Sequence, residues 1–400
     1  MNRITKLCLS NFLTGLVFWY GIEKLFMKSI GIDAVGIGAA SAVILIFTIV
    51  FDIPAGILAD KWSRKAIIIV STLCLGIASV ILGLSNGLSA YLIGYGFYGI
   101  YIVCTSGIEQ AIMYDSLHEE GRSNEYSKIM GRAYALFLVG AGVANIASGF
   151  IAKFWGLRFA FFAALIPCFL NIILLIGLKE PTFHKNQNKE KVLRQLVASS
   201  RTIGAVAILR SLILVSSVMF ALETFKSEFS QLYMLRFVSS AVALGLLWAA
   251  YAFTWALGSF LAHRLQSKLS LLIMVSLMLL IALGSTTSVW GIGIFMVEAV
   301  LSGAIYNLIE MNVQNATPSE VRASVMSVMS TLGRLVALPA VFFFGWIIRT
   351  YDVFWALRSV ALFSFILLIY WVLVGRKRIA GSIATEPAET SASYSPLLPD

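Results

Sequence analysis

Charge is what this sequence has least of. Of its 400 residues only 12% are Asp, Glu, Lys or Arg, against about a quarter in an ordinary soluble domain. A water-solvated globular fold is therefore excluded for most of the chain. Histidine is almost missing: His118, His184 and His263 all fall at or near connections, so no histidine relay runs through an apolar segment. The four cysteines, Cys8, Cys74, Cys104 and Cys168, stand singly in apolar stretches, without metal-ligand spacing or a disulfide framework. No G-x-x-x-x-G-K-[ST] loop is present, which argues against ATP-driven chemistry. No cluster of nucleophiles, His or metal ligands gathers at one end, so neither an enzyme nor a cofactor is expected. Period-two alternation is missing too, and with it a transmembrane β-barrel.

What is there is apolar: 59% of the residues, with a mean hydropathy of +0.88. Runs of about 20 apolar residues, long enough to cross roughly 30 Å of hydrocarbon, recur along the chain. In lipid such runs read as helices, because a helix satisfies its own backbone. The expected fold class is an all-α membrane protein of twelve transmembrane helices. Their ranges are 7–26, 34–58, 66–85, 88–114, 126–152, 158–178, 208–234, 239–262, 269–286, 289–313, 321–348 and 353–375. The start lacks a small-residue cleavage site and is read as an uncleaved first helix rather than a signal peptide.

The formal net charge of +10 does not indicate a nucleic-acid partner, because of where the charges lie. Even-numbered connections and the two ends hold 19 of the 30 Lys and Arg residues, and odd-numbered connections hold seven. The positive-inside rule then places both termini in the cytoplasm, for a multi-pass protein of the cell (inner) membrane.

The longest polar connection lies near the middle and divides the helices six and six. The expected organisation is an N-terminal bundle over 1–178, a cytoplasmic loop over 179–207, a C-terminal bundle over 208–378 and a disordered cytoplasmic tail over 379–400. A weak internal duplication supports two pseudo-symmetric halves. "LADK" at 58–61 matches "LAHR" at 261–264, "EGR" at 120–122 matches "EVR" at 320–322, and "GR" at 131–132 matches "GR" at 333–334. The offsets are 203, 200 and 202.

Between the second and third helices stands "GILADKWSRK", Gly56 to Lys65. It resembles the corresponding loop of the major facilitator superfamily of secondary transporters, G-x-L-A-D-[RK]-x-G-R-[RK], with Ser63 in place of the second glycine. The resemblance extends to the twelve-helix layout over residues 1–378 and points to a drug/proton antiporter-like branch. It implies a cytoplasmic gate of Gly56, Asp60, Arg64 and Lys65. Asp60 would face the start of helix 11 near Pro318–Arg322, with Arg322 among the gate residues, and Arg64 would meet Asp115 at the end of helix 4. Gly56 would admit a neighbouring helix closely. Two signatures of the exporter branch are degraded. Tyr95 stands where the branch carries a membrane Arg before Gly99, and Gly131, Gly140, Ala144, Asn145, Ser148 and Gly149 only echo the antiporter pattern of helix 5. That stripe reads as a tight helix interface.

Charges inside apolar helices are costly and face a cavity or a partner. Glu23, Asp52, Glu109, Arg132, Glu223, Glu298 and Arg334 qualify. Glu109 lies about 9 Å along its helix from Asp115, and Asp52 and Arg132 lie at a similar depth, so a charge-balanced cluster in the N-terminal half is expected. Glu223 and Lys226 share one helical face, and Glu223 is read either as neutralised by Lys226 or as a protonation site. Arg334, about 18 Å from Arg322, is expected to meet an anionic substrate group or a carboxylate such as Glu298. Glu23 is expected to pair with Lys24 or Lys28, or to reach a cavity. Phe18, Trp19, Tyr20, Trp248, Tyr251 and Trp255 are candidate cavity aromatics. The function these features imply is proton-coupled transport of a small molecule by alternating access. Export of an amphipathic compound is the leading reading and import of a polar or anionic metabolite the alternative. The partners are that substrate, protons and the bilayer, and the expected unit is a monomer.

Overall fold

The computed structural model describes residues 2–61, 63–105, 107–181, 203–204, 206–318 and 321–378, excluding the side chains of residues 53, 57, 59–61 and 323. Within them the helices are α1 Arg3–Gly15, α2 Glu23–Ser29, α3 Ala34–Lys61, α4 Arg64–Leu84, α5 Leu88–Thr105, α6 Ile108–Glu119, α7 Tyr126–Trp155, α8 Leu157–Ala163, α9 Leu165–Ile176, α10 Ala207–Met234, α11 Ala241–Leu261, α12 Leu269–Ser285, α13 Trp290–Asn315, α14 Arg322–Thr350 and α15 Val353–Tyr370. Short polar side chains start several of them. Asn2 accepts from Thr5 N, Asp33 from Gly36 N, Ser63 from Ala66 N, and Asp352 from Phe354 N and Trp355 N.

Among the described residues, ten segments are long and apolar enough to cross a membrane. One of them, Ala241–Ser285, holds both α11 and α12, joined by the tight turn Ala262–Lys268. The broken first span, α1 with α2, completes twelve. The expected loop core at 182–202 and the tail at 379–400 lie outside the described residues.

Three spans expected as continuous helices are interrupted. The first span leaves helical geometry after Gly15 and resumes through a tight turn, Tyr20–Ile22, into α2. Close packing accompanies the break. A Cβ on Gly15 would sit 2.3 Å from Phe137 O, and one on Gly21 would sit 2.6 Å from Ser148 Oγ. A carbonyl freed there, Tyr20 O, accepts 2.7 Å from Gln231 Nε2 on α10, which supplies it a partner within the apolar layer. The fourth span breaks between α5 and α6, where Gly107 has φ +74°. The sixth divides at Ala164 into α8 and α9, with Pro167 in the first turn of α9.

Core packing identifies the conformation. At one end a single apolar cluster runs across both halves, from Trp19, Phe26 and Tyr91 to Phe225, Phe229, Leu244 and Phe344. At the other end the halves have separate cores: Ile67, Ile112 and Leu117 in one, Leu212, Ile273 and Leu308 in the other. The glycine contacts agree. Cβ atoms on Gly38 and Gly345 would lie 2.6 Å from Val341 O and 2.7 Å from Ala34 O, and one on Gly149 would lie 2.6 Å from Ala241 O. Along the same helices towards the other end, Gly56 and Gly131 have nothing within 4 Å of such an atom. The halves are therefore zipped at the Ala34–Gly345 end and parted at the Gly56–Gly131 end. The close approach expected at Gly56 is absent here, because α3 has already diverged from its partner at that level.

Candidate functional site

A cavity of about 280 Å³ lies against the C-terminal half at mid-depth. Its walls are Met219, Phe220 and Glu223 on α10, Trp255 on α11, Ser302, Ile305, Tyr306 and Ile309 on α13, and Met329, Ser330, Gly333 and Arg334 on α14. This is a largely apolar and aromatic surface with a few polar groups, the usual composition of a small-molecule site.

Behind its wall lies a buried charge cluster. Lys226 Nζ stands 2.5 Å from Glu223 Oε2, pairs with Glu298, and donates to Ser302 Oγ at 2.9 Å. Ser276 and Ser302 donate to Glu298 Oε1 at 2.8 and 2.6 Å, and the Tyr251 hydroxyl donates to Glu223 Oε1 at 2.7 Å. The side chains of Lys226 and Glu298 are each 1% exposed, whereas Glu223, on the cavity side, is 25% exposed. One ammonium thus faces two carboxylates in an apolar layer, which leaves one formal negative charge uncompensated. A bound proton or cation removes it. Glu298 is held by Lys226 rather than by Arg334, because Lys226 and Glu298 face each other across the α10–α13 contact.

Arg334 reaches the other half instead. Its Nη1 lies 2.5 Å from Asp52 Oδ2 on α3. The expected cluster of Asp52, Glu109 and Arg132 does not form. Asp52 is drawn to Arg334, Arg132 is exposed with no ion pair among the described residues, and Glu109 Oε1 is buried without a hydrogen-bond partner. Depth along each helix was readable from sequence, but azimuth was not. The Asp52–Arg334 contact crosses the halves, so reversing it in D52R/R334D should retain more transport than either single reversal, as measured by uptake into vesicles.

At the parted end Arg64 donates to Asp115. Lys65 Nζ donates to Ile176 O and Leu178 O at 2.8 and 2.9 Å, tying α4 to the end of α9. Arg322 Nη2 makes a 3.3 Å contact with Thr317 O. The side chain of Asp60 and residues 319–320 lie outside the described residues.

At the zipped end Glu23 and Lys24 pair at 2.9 Å, and Lys24 also meets Glu228 of α10 at 2.8 Å. Tyr91 donates to Glu23 at 3.1 Å and Tyr95 donates to it as well. The tyrosine that replaces the exporter-branch arginine is thus a Glu23 partner. Gln231 and Tyr91 were not singled out from sequence, and Tyr95 stood out only as a departure from the exporter pattern. Glu228 sits off the Glu223–Lys226 face, and only the break in the first span turns Lys24 towards it. Of the candidate aromatics, Trp255 lines the cavity, Trp248 stacks on Tyr251, and Trp19 is core, stacked on Phe161. The helix 5 stripe is a tight interface: Gly140 abuts Phe12 O, and Asn145, Ser148 and Gly149 pack against Gly245.

The family model of the Major Facilitator Superfamily matches residues 7–341. An uncharacterised transporter of Buchnera aphidicola (subsp. Schizaphis graminum) is 34% identical over 139 residues, 34% of this chain and 35% of that protein. An uncharacterised MFS-type transporter of Methanocaldococcus jannaschii is 23% identical over 176 residues, 44% and 45% of the two chains. These matches span less than half the length of the curated relatives. Among solved structures, a mutant of the nucleoside transporter NupG superposes with a TM-score of 0.80 at 14% identity, covering 93% of this chain and 100% of that one. A D-xylose–proton symporter gives 0.71 at 14% identity, covering 93% and 98%. At such identities the likeness shows the fold alone. With the family model spanning most of a chain whose described residues fold as twelve helical spans, this protein belongs to the Major Facilitator Superfamily.

Proposed function

We propose that the protein is a proton-coupled carrier of a small amphipathic molecule, working by rocking of the 1–178 and 208–378 bundles about the central cavity. The observation that carries this reading is the Glu223–Lys226–Glu298 cluster, which reaches the cavity through Glu223, with its one uncompensated charge. A proton taken up there is linked to whatever occupies the space against Glu223. The membrane potential contributes about 2.3 kcal/mol per charge per 100 mV to its movement. Glu109, whose Oε1 is buried without a hydrogen-bond partner, is a second carboxyl able to carry a proton. Met219, Phe220, Trp255 and Met329 suit an apolar substrate body, and Arg334 and Ser330 suit a polar or anionic end. Under the positive-inside assignment the parted end faces the cytoplasm, both termini are cytoplasmic, and the cavity loads from inside. Export by proton antiport is the direction this favours, and the drug/proton antiporter-like branch is the placement that goes with it.

Import of a polar or anionic metabolite is the second reading. It is favoured by Arg334 in the cavity wall and by a fold shared with a nucleoside transporter and a D-xylose–proton symporter. Inverted vesicles loaded with a pH dye and challenged with compound panels separate the two: proton release from the lumen on substrate addition supports antiport. Glu223→Gln is expected to uncouple proton from substrate movement, and Glu109→Gln to weaken the coupling. Retention of full coupling in both variants would refute the assignment. Asp60→Asn, in the loop that resembles the family's gate, is expected to slow transport with expression retained.

A further inference from the structure

The buried charges at the zipped end are the only ion cluster among the described residues that joins the two halves inside the fused apolar core. Lys24 is 2% exposed and Glu23 is 6% exposed. Two carboxylates again share one ammonium, as they do around Lys226. Lys24 and Lys226 stand 202 positions apart, the offset that relates Gly131–Arg132 to Gly333–Arg334. Each half has thus placed a lysine at an equivalent position of its first span with a carboxylate of the same span beside it, Glu23 by Lys24 and Glu223 by Lys226. The C-terminal copy draws its partners from its own half. The N-terminal copy draws one of them, Glu228, from the other half.

That difference gives the cluster a mechanical meaning. Parting the zipped end leaves Glu23 and Lys24 together as a neutral pair, with Tyr91 and Tyr95 still donating to Glu23. Glu228 departs without its ammonium. The groups that face it are Lys24 and Glu23 on the first span, Ser41 on α3, and Tyr91, Tyr95, Tyr98 and Tyr20 around them. Every one except Lys24 and Ser41 is either negative or already engaged in a hydroxyl contact within its own half. A bare carboxylate leaving Lys24 inside an apolar layer is costly, whereas a protonated one leaves without that penalty.

We propose that Glu23, Lys24 and Glu228 form a clasp that holds this end shut and that a proton bound at Glu228 releases it. The proposal rests on the alternating-access reading and adds a second proton site, on the gate instead of the cavity. Gln231, whose side chain accepts from Lys24 N and donates to Tyr20 O, sets the register of the two halves while the clasp is closed.

The test reads conformation rather than transport, so it can fail or succeed independently of substrate and direction. Spin labels at Ser29→Cys and Ser239→Cys, both exposed at the zipped end on opposite halves, are attached to full-length protein whose four cysteines are replaced by Ala. Distances are measured in lipid nanodiscs by pulsed EPR. The wild-type clasp is expected to give a short distance near about pH 8 and a growing long-distance population towards about pH 5. Glu228→Gln, a permanent mimic of the protonated acid, should show the long population at both pH values. Lys24→Met removes the ammonium that bridges to Glu228, so it too should show the long population at both pH values. A wild-type distance that does not change with pH, or a Glu228→Gln protein as closed as wild type, would overturn the proposal. So would a Lys24→Met protein that stays closed as wild type does at high pH, because the end would then be held shut without the clasp's ammonium.

Discussion

Replacing Lys226 with Met should abolish transport and destabilise the C-terminal half by about 3–5 kcal/mol, the cost of stripping the partner from a buried charge. Glu298 would remain 1% exposed with only two serine hydroxyls, beside Glu223 with only Tyr251. The magnitude follows from burial: an exposed ion pair contributes at most about 1 kcal/mol. The double variant Lys226→Met/Glu298→Gln removes both charges and should recover most of the stability, leaving Glu223 as the single cavity carboxylate. Thermal unfolding in detergent checks the order wild type, double variant, single variant. A single variant as stable as wild type would mean that Glu298 is already neutral in the resting protein.

Bulk added at glycines should separate the two kinds of contact. At Gly258 a Cβ would lie 1.8 Å from Val300 O, and at Gly303 it would lie 2.2 Å from Trp255 O. Both belong to the α11–α13 contact within one half, which has no second conformation to move to. Gly258→Leu is therefore expected to lose about 3 kcal/mol or more and to fail to assemble. Gly345 meets Ala34 O across the halves, and there the backbone can part. Gly345→Leu should fold, remain monodisperse, and be trapped with the Ala34–Gly345 end open, its transport lowered at least about tenfold. Size-exclusion profiles and transport assays distinguish the two. Equal loss of folding in both would contradict the view that these contacts differ in kind.

The sequence made most of the architecture legible, because lipid imposes a length rule that survives any error in side-chain placement. Twenty apolar residues cross a bilayer whatever they pack against, so the spans were countable. Their breaks were not. Gly15, Gly21 and Gly107 look like any glycine of a membrane helix until a neighbouring backbone or a positive φ shows why the helix stops there. The site divided in the same way. Glu223 with Lys226 was visible because a spacing of three puts two side chains on one helical face. Arg64 could be placed beside Asp115 through the loop's resemblance to a family pattern. Pairings between helices were not accessible: Asp52 with Arg334, Lys226 with Glu298 and Lys24 with Glu228 depend on rotation about helix axes that no single span encodes. Glu109 was expected among countercharges and instead stands with an oxygen unpaired, since its presumed partners turn elsewhere.

Everything mechanistic depends on one cavity being reachable from one side at a time. Thiol labelling of Ser330→Cys, on the cavity wall, measures this directly in vesicles of known sidedness. With the four native cysteines replaced by Ala, the introduced cysteine should react from the face that carries Gly56 and Gly131, and not from the face that carries Ala34 and Gly345. With Gly345→Leu added, access should switch to the opposite face. Labelling from both faces at once, or from the same face in both proteins, would contradict alternating access through this cavity.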